Sequence, residues 1–188
     1  MINGSILKSL IKFTIPLILS GLLQQLYSWV DALIVGNYLG ESALAAIGTV
    51  SPIISLYMSI IIGFSTGISV LISTAFGSGD EKNIKVIMDT FNALAVFAAI
   101  LLMVITLGLS EGLIALMNVP SDIVDDSLKY MRIMMLGIPI MTVYNIYVAM
   151  LRGIGNSKLP LYTIIISTIA NIILDILFVG ILKLEISS

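Results

Sequence analysis

The chain has no cysteine and no histidine. Their absence excludes disulfides, thiolate nucleophiles, imidazole acid–base catalysis and every metal site built on either residue. Charge is scarce too, at 11% of residues, against about 25% in a soluble globular domain. No glycine-rich phosphate loop of the Walker type occurs, since RGIGN at 152–156 is too short and wrongly placed to stand in for one. Neither ATP nor nucleic acid is therefore an expected partner, no cofactor is expected, and an enzyme is not indicated.

What the chain has instead is apolar surface: 59% of residues are hydrophobic and the mean hydropathy is +1.13. The lipid bilayer is the expected partner. A hydrocarbon core of about 30 Å takes about 20 apolar residues as helix, and five stretches satisfy that, at about 13–36, 50–76, 86–109, 127–150 and 160–182. Their length, and the absence of strict apolar–polar alternation, point to helices rather than a barrel. The fold class expected is an all-α, multi-pass integral membrane protein with a five-helix transmembrane bundle. Lys8 and Lys12 before an apolar run imitate a signal peptide, but the run is too long and no small-x-small cleavage pattern follows, so it reads as a retained first span. Between the third and fourth spans, EGLIALMNVPSDIVDDS predicts a short interfacial helix ending before Pro120.

Lys8, Lys12, Lys82, Lys85, Arg152 and Lys158 fall on one side of this arrangement, and Lys129, Arg132 and Lys183 on the other. The excess predicts a cytoplasmic N-terminus in a cell membrane, a bacterial inner membrane by this reading. The first and fifth spans then run outward together.

Each of those two spans holds a single charge: Asp31 within 13–36, and Asp175 within 160–182. An ionisable group at membrane depth is expensive and marks a functional site by default. Both acids lie a few residues before the outer end of their spans, roughly 8–11 Å below it, so they reach nearly the same depth. Asn171, one turn before Asp175, shares its helix face. On the first span Gln24, Tyr27 and Ser28 form a polar stripe leading to Asp31, and Tyr130 on the inward-running fourth span comes to a similar depth. Asp31, Asn171 and Asp175 offer hard oxygen ligands that suit Na⁺, and the same carboxylates suit a proton. Two alternatives stand beside this reading. Polar side chains, among them Asn92, Thr142 and Asn145, can simply join helices by hydrogen bonds, and either acid can form a structural ion pair with Arg132. Pro16 removes one backbone hydrogen bond within the first span and is the expected hinge. Ser59, Gly63 and Gly67 form a small-xxx-small face that predicts close helix packing.

The segments TIPLILSGLLQQLYSWVDALIVGNYLGESALAAIG, GFSTGISVLISTAFGSGD and LRGIGNSKLPLYTIIISTIANIILDILF together resemble the N-terminal lobe of the multidrug and toxic compound extrusion (MATE) family, over residues 8–182. The resemblance implies most of one six-helix lobe of a twelve-helix secondary antiporter that exports drugs or organic cations in exchange for H⁺ or Na⁺. It also implies that Asp31 is the first-helix acid and Pro16 the bending proline, that Asn171 and Asp175 are the fifth-helix pair, and that Tyr27 and Tyr130 complete the polar cluster. After LKLEISS the family continues into a sixth helix and a C-terminal lobe, so residues 1–188 are expected to be a partial N-terminal lobe. A flippase for lipid-linked oligosaccharides of the same superfamily is an alternative, although it would call for Arg or Lys at mid-membrane; a non-transporting membrane subunit or remnant is another.

Overall fold

The computed structural model describes residues 6–38 and 40–181. Five long helices account for most of them: α1 (Ile6–Tyr38), α2 (Glu41–Gly77), α3 (Glu81–Leu116), α4 (Val124–Gly153) and α5 (Lys158–Asp175), which continues as a π-helical stretch, Ile176–Ile181. Each is long and apolar enough to cross a membrane, and the all-α membrane fold is as expected. The helices outrun the apolar spans. At 1.5 Å per residue the 37 residues of α2 reach about 55 Å, well beyond the hydrocarbon core. Leu182, the end of the fifth expected span, and Lys183 lie outside the described residues.

Four short connections set the helices in alternating directions. Gly79 and Gly155 adopt left-handed backbone, with φ of 74° and 81°. At the second of these the Gly155 amide donates to Arg152 O at 3.0 Å and the Asn156 amide to Leu151 O at 2.7 Å, which closes the C-terminal end of α4 in Schellman fashion. Asp80 caps α3 by accepting from the Asn83 amide at 3.0 Å. The segment expected as a separate interfacial helix is different: Leu113 to Leu116 form the last turn of α3, because nothing before Asn118 breaks the helix, and Asn118 then turns the chain at φ 51°.

The packed core is built on α4, which lies against both α2 and α3. Met131, Met135, Ile138, Thr142, Ile146 and Ala149 form its buried stripe, at the three- and four-residue spacing of one helix face. Met131, Met135 and Ile138 pack with Val50, Ile61, Ala99 and Ile114; further along, Ile146 packs with Ile68, Ile72, Ala75, Ile87 and Ala95. Helix α1 packs chiefly on α5, and this pair touches the core only lightly. The outer surfaces stay apolar, as at Ile18, Leu22, Trp29 and Leu33, which suits lipid as solvent.

Close packing falls at a different glycine from the ones expected. At Gly63 and Gly67 an added Cβ would meet nothing within 4 Å, and with Ser59 they are exposed. That face packs on no described helix, because α2 turns its buried face, Ile61, Ser65, Ile68 and Ile72, toward the core. Gly153 makes the close contact instead: a Cβ there would come within 2.9 Å of Ile72 Cγ2 and of the Ser69 carbonyl oxygen. Backbone cannot yield as a side-chain tip can. Gly153→Ala should therefore lower stability by about 1–2 kcal/mol, the cost of overpacking exceeding the gain in helix propensity. Gly108→Ala, with open space around its Cβ, should not. Detergent unfolding midpoints, read from the fluorescence of the sole tryptophan, Trp29, check the pair.

Candidate functional site

Helices α1 and α5 run parallel, because their starts meet at one end of the bundle. Lys12 and Lys158 line the same small cavity there. From these lysines the chain climbs nineteen residues to Asp31 and seventeen to Asp175, or about 29 and 26 Å. The acids thus arrive at almost equal depth on neighbouring helices, as their positions in the sequence predict.

One hydrogen bond ties the two helices together near that depth: Asn171 Nδ2 donates to Tyr27 Oη at 3.3 Å. Tyr27 lies in the electrostatic field of Asp31 and Asp175. Asp31 lies in that of Asp175, and Tyr130 in that of Asp31. Three helices therefore bring Tyr27, Asp31, Tyr130, Asn171 and Asp175 into one half-buried neighbourhood. The expected stripe on α1 divides. Tyr27 and Asp31 are half-buried, whereas Gln24 and Ser28 are exposed, and the Ser28 hydroxyl donates to the Gln24 carbonyl of its own helix at 3.1 Å.

Asp175 Oδ2 is buried and has no hydrogen-bond partner. Leaving a buried carboxylate oxygen unpaired is costly, so this atom is the natural place for a proton or a cation. The amide that donates to Tyr27 leaves Asn171 Oδ1 free to act as a further ligand. All the groups here are hard oxygen donors, fitting Na⁺ or H⁺. Among the described residues no cluster of three or more Asp, Glu, His or Cys side chains gathers to hold a metal. Asp175 also marks the point where α-helical hydrogen bonding gives way to the π-helical stretch, a feature that recurs at functional sites. No signal in the sequence pointed to that transition.

The alternative ion pair does not form. Arg132 donates through Nη2 to Glu111 Oε1 at 3.1 Å and through Nε to Ser110 Oγ at 3.3 Å, linking α4 to the end of α3. Sequence reading missed this pair because Glu111 and Arg132 flank a turn whose geometry the spacing does not fix. The interhelical joinery expected of Thr142 and Asn145 is absent too: each donates to a carbonyl of its own helix, Ile138 O and Met141 O, both at 2.8 Å. Asn92 Oδ1 is buried without a partner. The link that does join α2 to α3 is a hydroxyl pair, Tyr57 with Thr106. Pro16 is buried in α1, which runs unbroken through it, while the Ser20 hydroxyl donates to the Pro16 carbonyl at 2.7 Å.

The MatE family model matches residues 16–177. Probable multidrug resistance protein YoeA of Bacillus subtilis is 35% identical over 177 residues, covering 94% of this chain and 38% of the relative. Probable multidrug resistance protein YpnP of the same organism is 30% identical over 185 residues, covering 98% and 42%. Among solved structures, the outward-facing conformation of a multidrug resistance MATE family transporter of the MOP superfamily superposes with a TM-score of 0.89 at 22% identity, covering 96% of this chain and 40% of that one. The chain spans about two fifths of the length of the relatives it matches.

Because Arg132 and Glu111 are largely exposed, their pair should contribute no more than about 1 kcal/mol. In a double-mutant cycle Arg132→Gln should couple with Glu111→Gln by that amount and combine additively with Asp31→Asn or Asp175→Asn. Unfolding free energies of the singles and doubles measure it; coupling of Arg132 to either aspartate would restore the ion-pair account.

Proposed function

The chain belongs to the MatE family of membrane transporters, and on that basis we propose that residues 1–188 are a partial N-terminal lobe of a cation-coupled efflux antiporter that exports drugs or organic cations. The observation that carries the reading is the meeting of Asp31 and Asp175 at one depth beside the Tyr27–Asn171 bond, with a carboxylate oxygen left unpaired.

The chemistry follows from differential affinity. With Asp31 and Asp175 ionised, the space they face favours a cationic substrate. Neutralising one of them, by a proton or by Na⁺ held with Asn171 Oδ1, weakens that hold and lets α1 settle differently against α5. Tyr27, held by the Asn171 amide, and Tyr130 complete the polar surroundings of the acids, and Pro16, which leaves the Lys12 carbonyl without a helical donor, is the hinge about which α1 bends. The same site then meets cation and substrate by turns, as alternating access requires. No lysine or arginine among the described residues joins this group, so a cationic cargo fits it better than a pyrophosphate-linked one.

In the full-length transporter, Asp31→Asn and Asp175→Asn should each reduce coupled export to background while membrane expression is kept, since the amide preserves size and hydrogen bonding but neither releases a proton nor brings full charge to Na⁺. Drug flux under separately imposed proton and sodium gradients measures this and distinguishes the ions. Retained export with both acids replaced would overturn the proposal.

We also propose that the N-terminus is cytoplasmic, on the distribution of basic residues. Residues 1–188 contain no cysteine, so an introduced one is the sole thiol within this lobe. Ser121→Cys, in the α3–α4 connection, should react with a membrane-impermeant thiol reagent on intact cells, and Ser78→Cys, in the α2–α3 connection, should not. The opposite pattern would invert the topology.

A further inference from the structure

At the far end of the α1–α5 pair from the acids lies a cavity of about 340 Å³, where Ser9 and Lys12 of α1 face the α4–α5 turn at Asn156, Ser157 and Lys158. Its charge is of one sign. Two lysines line it and no carboxylate does, and neither lysine is ion-paired among the described residues. The cavity also meets the N-terminus of α5, where first-turn amides and the helix dipole favour an anion. Asn156 Oδ1 already accepts from the Leu159 amide at 3.2 Å and Pro160 has no N–H. The Lys158 amide, first in the helix, has no intrahelical acceptor.

An independent observation comes from Ser157. Ser157 is only 3% exposed and lines the cavity, yet its side chain provides no helix cap and makes no hydrogen bond among the described residues. Its oxygen is not fully enclosed; it opens onto the cavity and can donate there. We propose that this cavity binds a phosphate group, whose oxygens accept from the Ser157 hydroxyl and the first-turn amide of α5 while Lys12 and Lys158 balance its charge. Both lysines stand where apolar helix begins, the level at which lipid phosphates lie. The headgroup of an anionic lipid and free inorganic phosphate share this chemistry. Either would bridge α1 to the α4–α5 turn, fixing one end of the helix pair that carries the acids at its other end.

Native mass spectrometry of the full chain in detergent tests the site, with phosphatidylglycerol, phosphatidylcholine and inorganic phosphate as probes. Phosphatidylglycerol should be retained in preference to phosphatidylcholine, and Lys12→Gln/Lys158→Gln should weaken its retention about tenfold or more. Lys82→Gln/Lys85→Gln, which removes two exposed lysines at the same end of the bundle, should not, and Lys12→Arg/Lys158→Arg should restore binding if the glutamine pair unfolds the chain. Ser157→Ala should weaken retention severalfold without changing the unfolding midpoint. Binding of inorganic phosphate with the same dependence on these variants, without retention of the lipid, would assign the site to the free anion and still support it. Equal retention of the two lipids together with no phosphate binding, or equal losses in both lysine pairs, would overturn the proposal.

Discussion

Hydrocarbon offers no hydrogen-bond partner, and most of this molecule's organisation follows from that constraint. Each backbone amide within the bilayer must find its acceptor inside its own helix, so the described residues resolve into five long helices and short turns. The polar side chains obey the same rule. Ser20, Ser28, Thr142, Asn145 and Thr163 all return their donors to carbonyls of the preceding turn, which removes a polar group from contact with lipid without requiring another helix. Links between helices are consequently few among the described residues: Tyr57 with Thr106, Arg132 with Ser110 and Glu111, and Asn171 with Tyr27.

With so few polar ties, shape decides which helices hold together. The α2–α3–α4 assembly interlocks through the α4 stripe from Met131 to Ala149 and closes tightly where Gly153 rests on Ile72 and the Ser69 carbonyl. Helices α1 and α5 share no comparable buried stripe; only Pro160 and Ile164 are buried on α5. A helix pair resting on a packed assembly by a light contact can shift as a unit at smaller cost than any helix within it. The unpaired acids are carried on that pair.

The two ends of the pair have opposite electrostatic character. One end gathers Lys12, Lys158 and the N-terminus of α5; the other gathers Asp31 and Asp175, about 26–29 Å of helix away. Under the functional reading proposed above, a cation bound at the acidic end and an anion bound at the basic end both act on the position of α1 relative to α5. The π-helical hydrogen bonding that begins after Asp175 adds a local departure from regular helix beside the acid, where a small change in helix geometry moves a carboxylate most directly.

Sequence alone determined the membrane class, the five spans and the two acids, because these depend on composition and on segment length against bilayer thickness, and both are local properties. Equal depth for Asp31 and Asp175 was legible too, since rise per residue is constant along a helix. The partners of polar groups were not legible. Arg132 turned to Glu111 rather than to an aspartate, Thr142 and Asn145 turned to their own backbone, and close packing fell on Gly153 rather than on Ser59, Gly63 and Gly67. Each of these choices depends on how helices rotate about their axes and on which face meets which neighbour, and hydropathy hardly constrains rotation when lipid and core are equally apolar. The Ser157 cavity arises in the same way, from segments far apart in the chain whose approach only the tertiary structure decides.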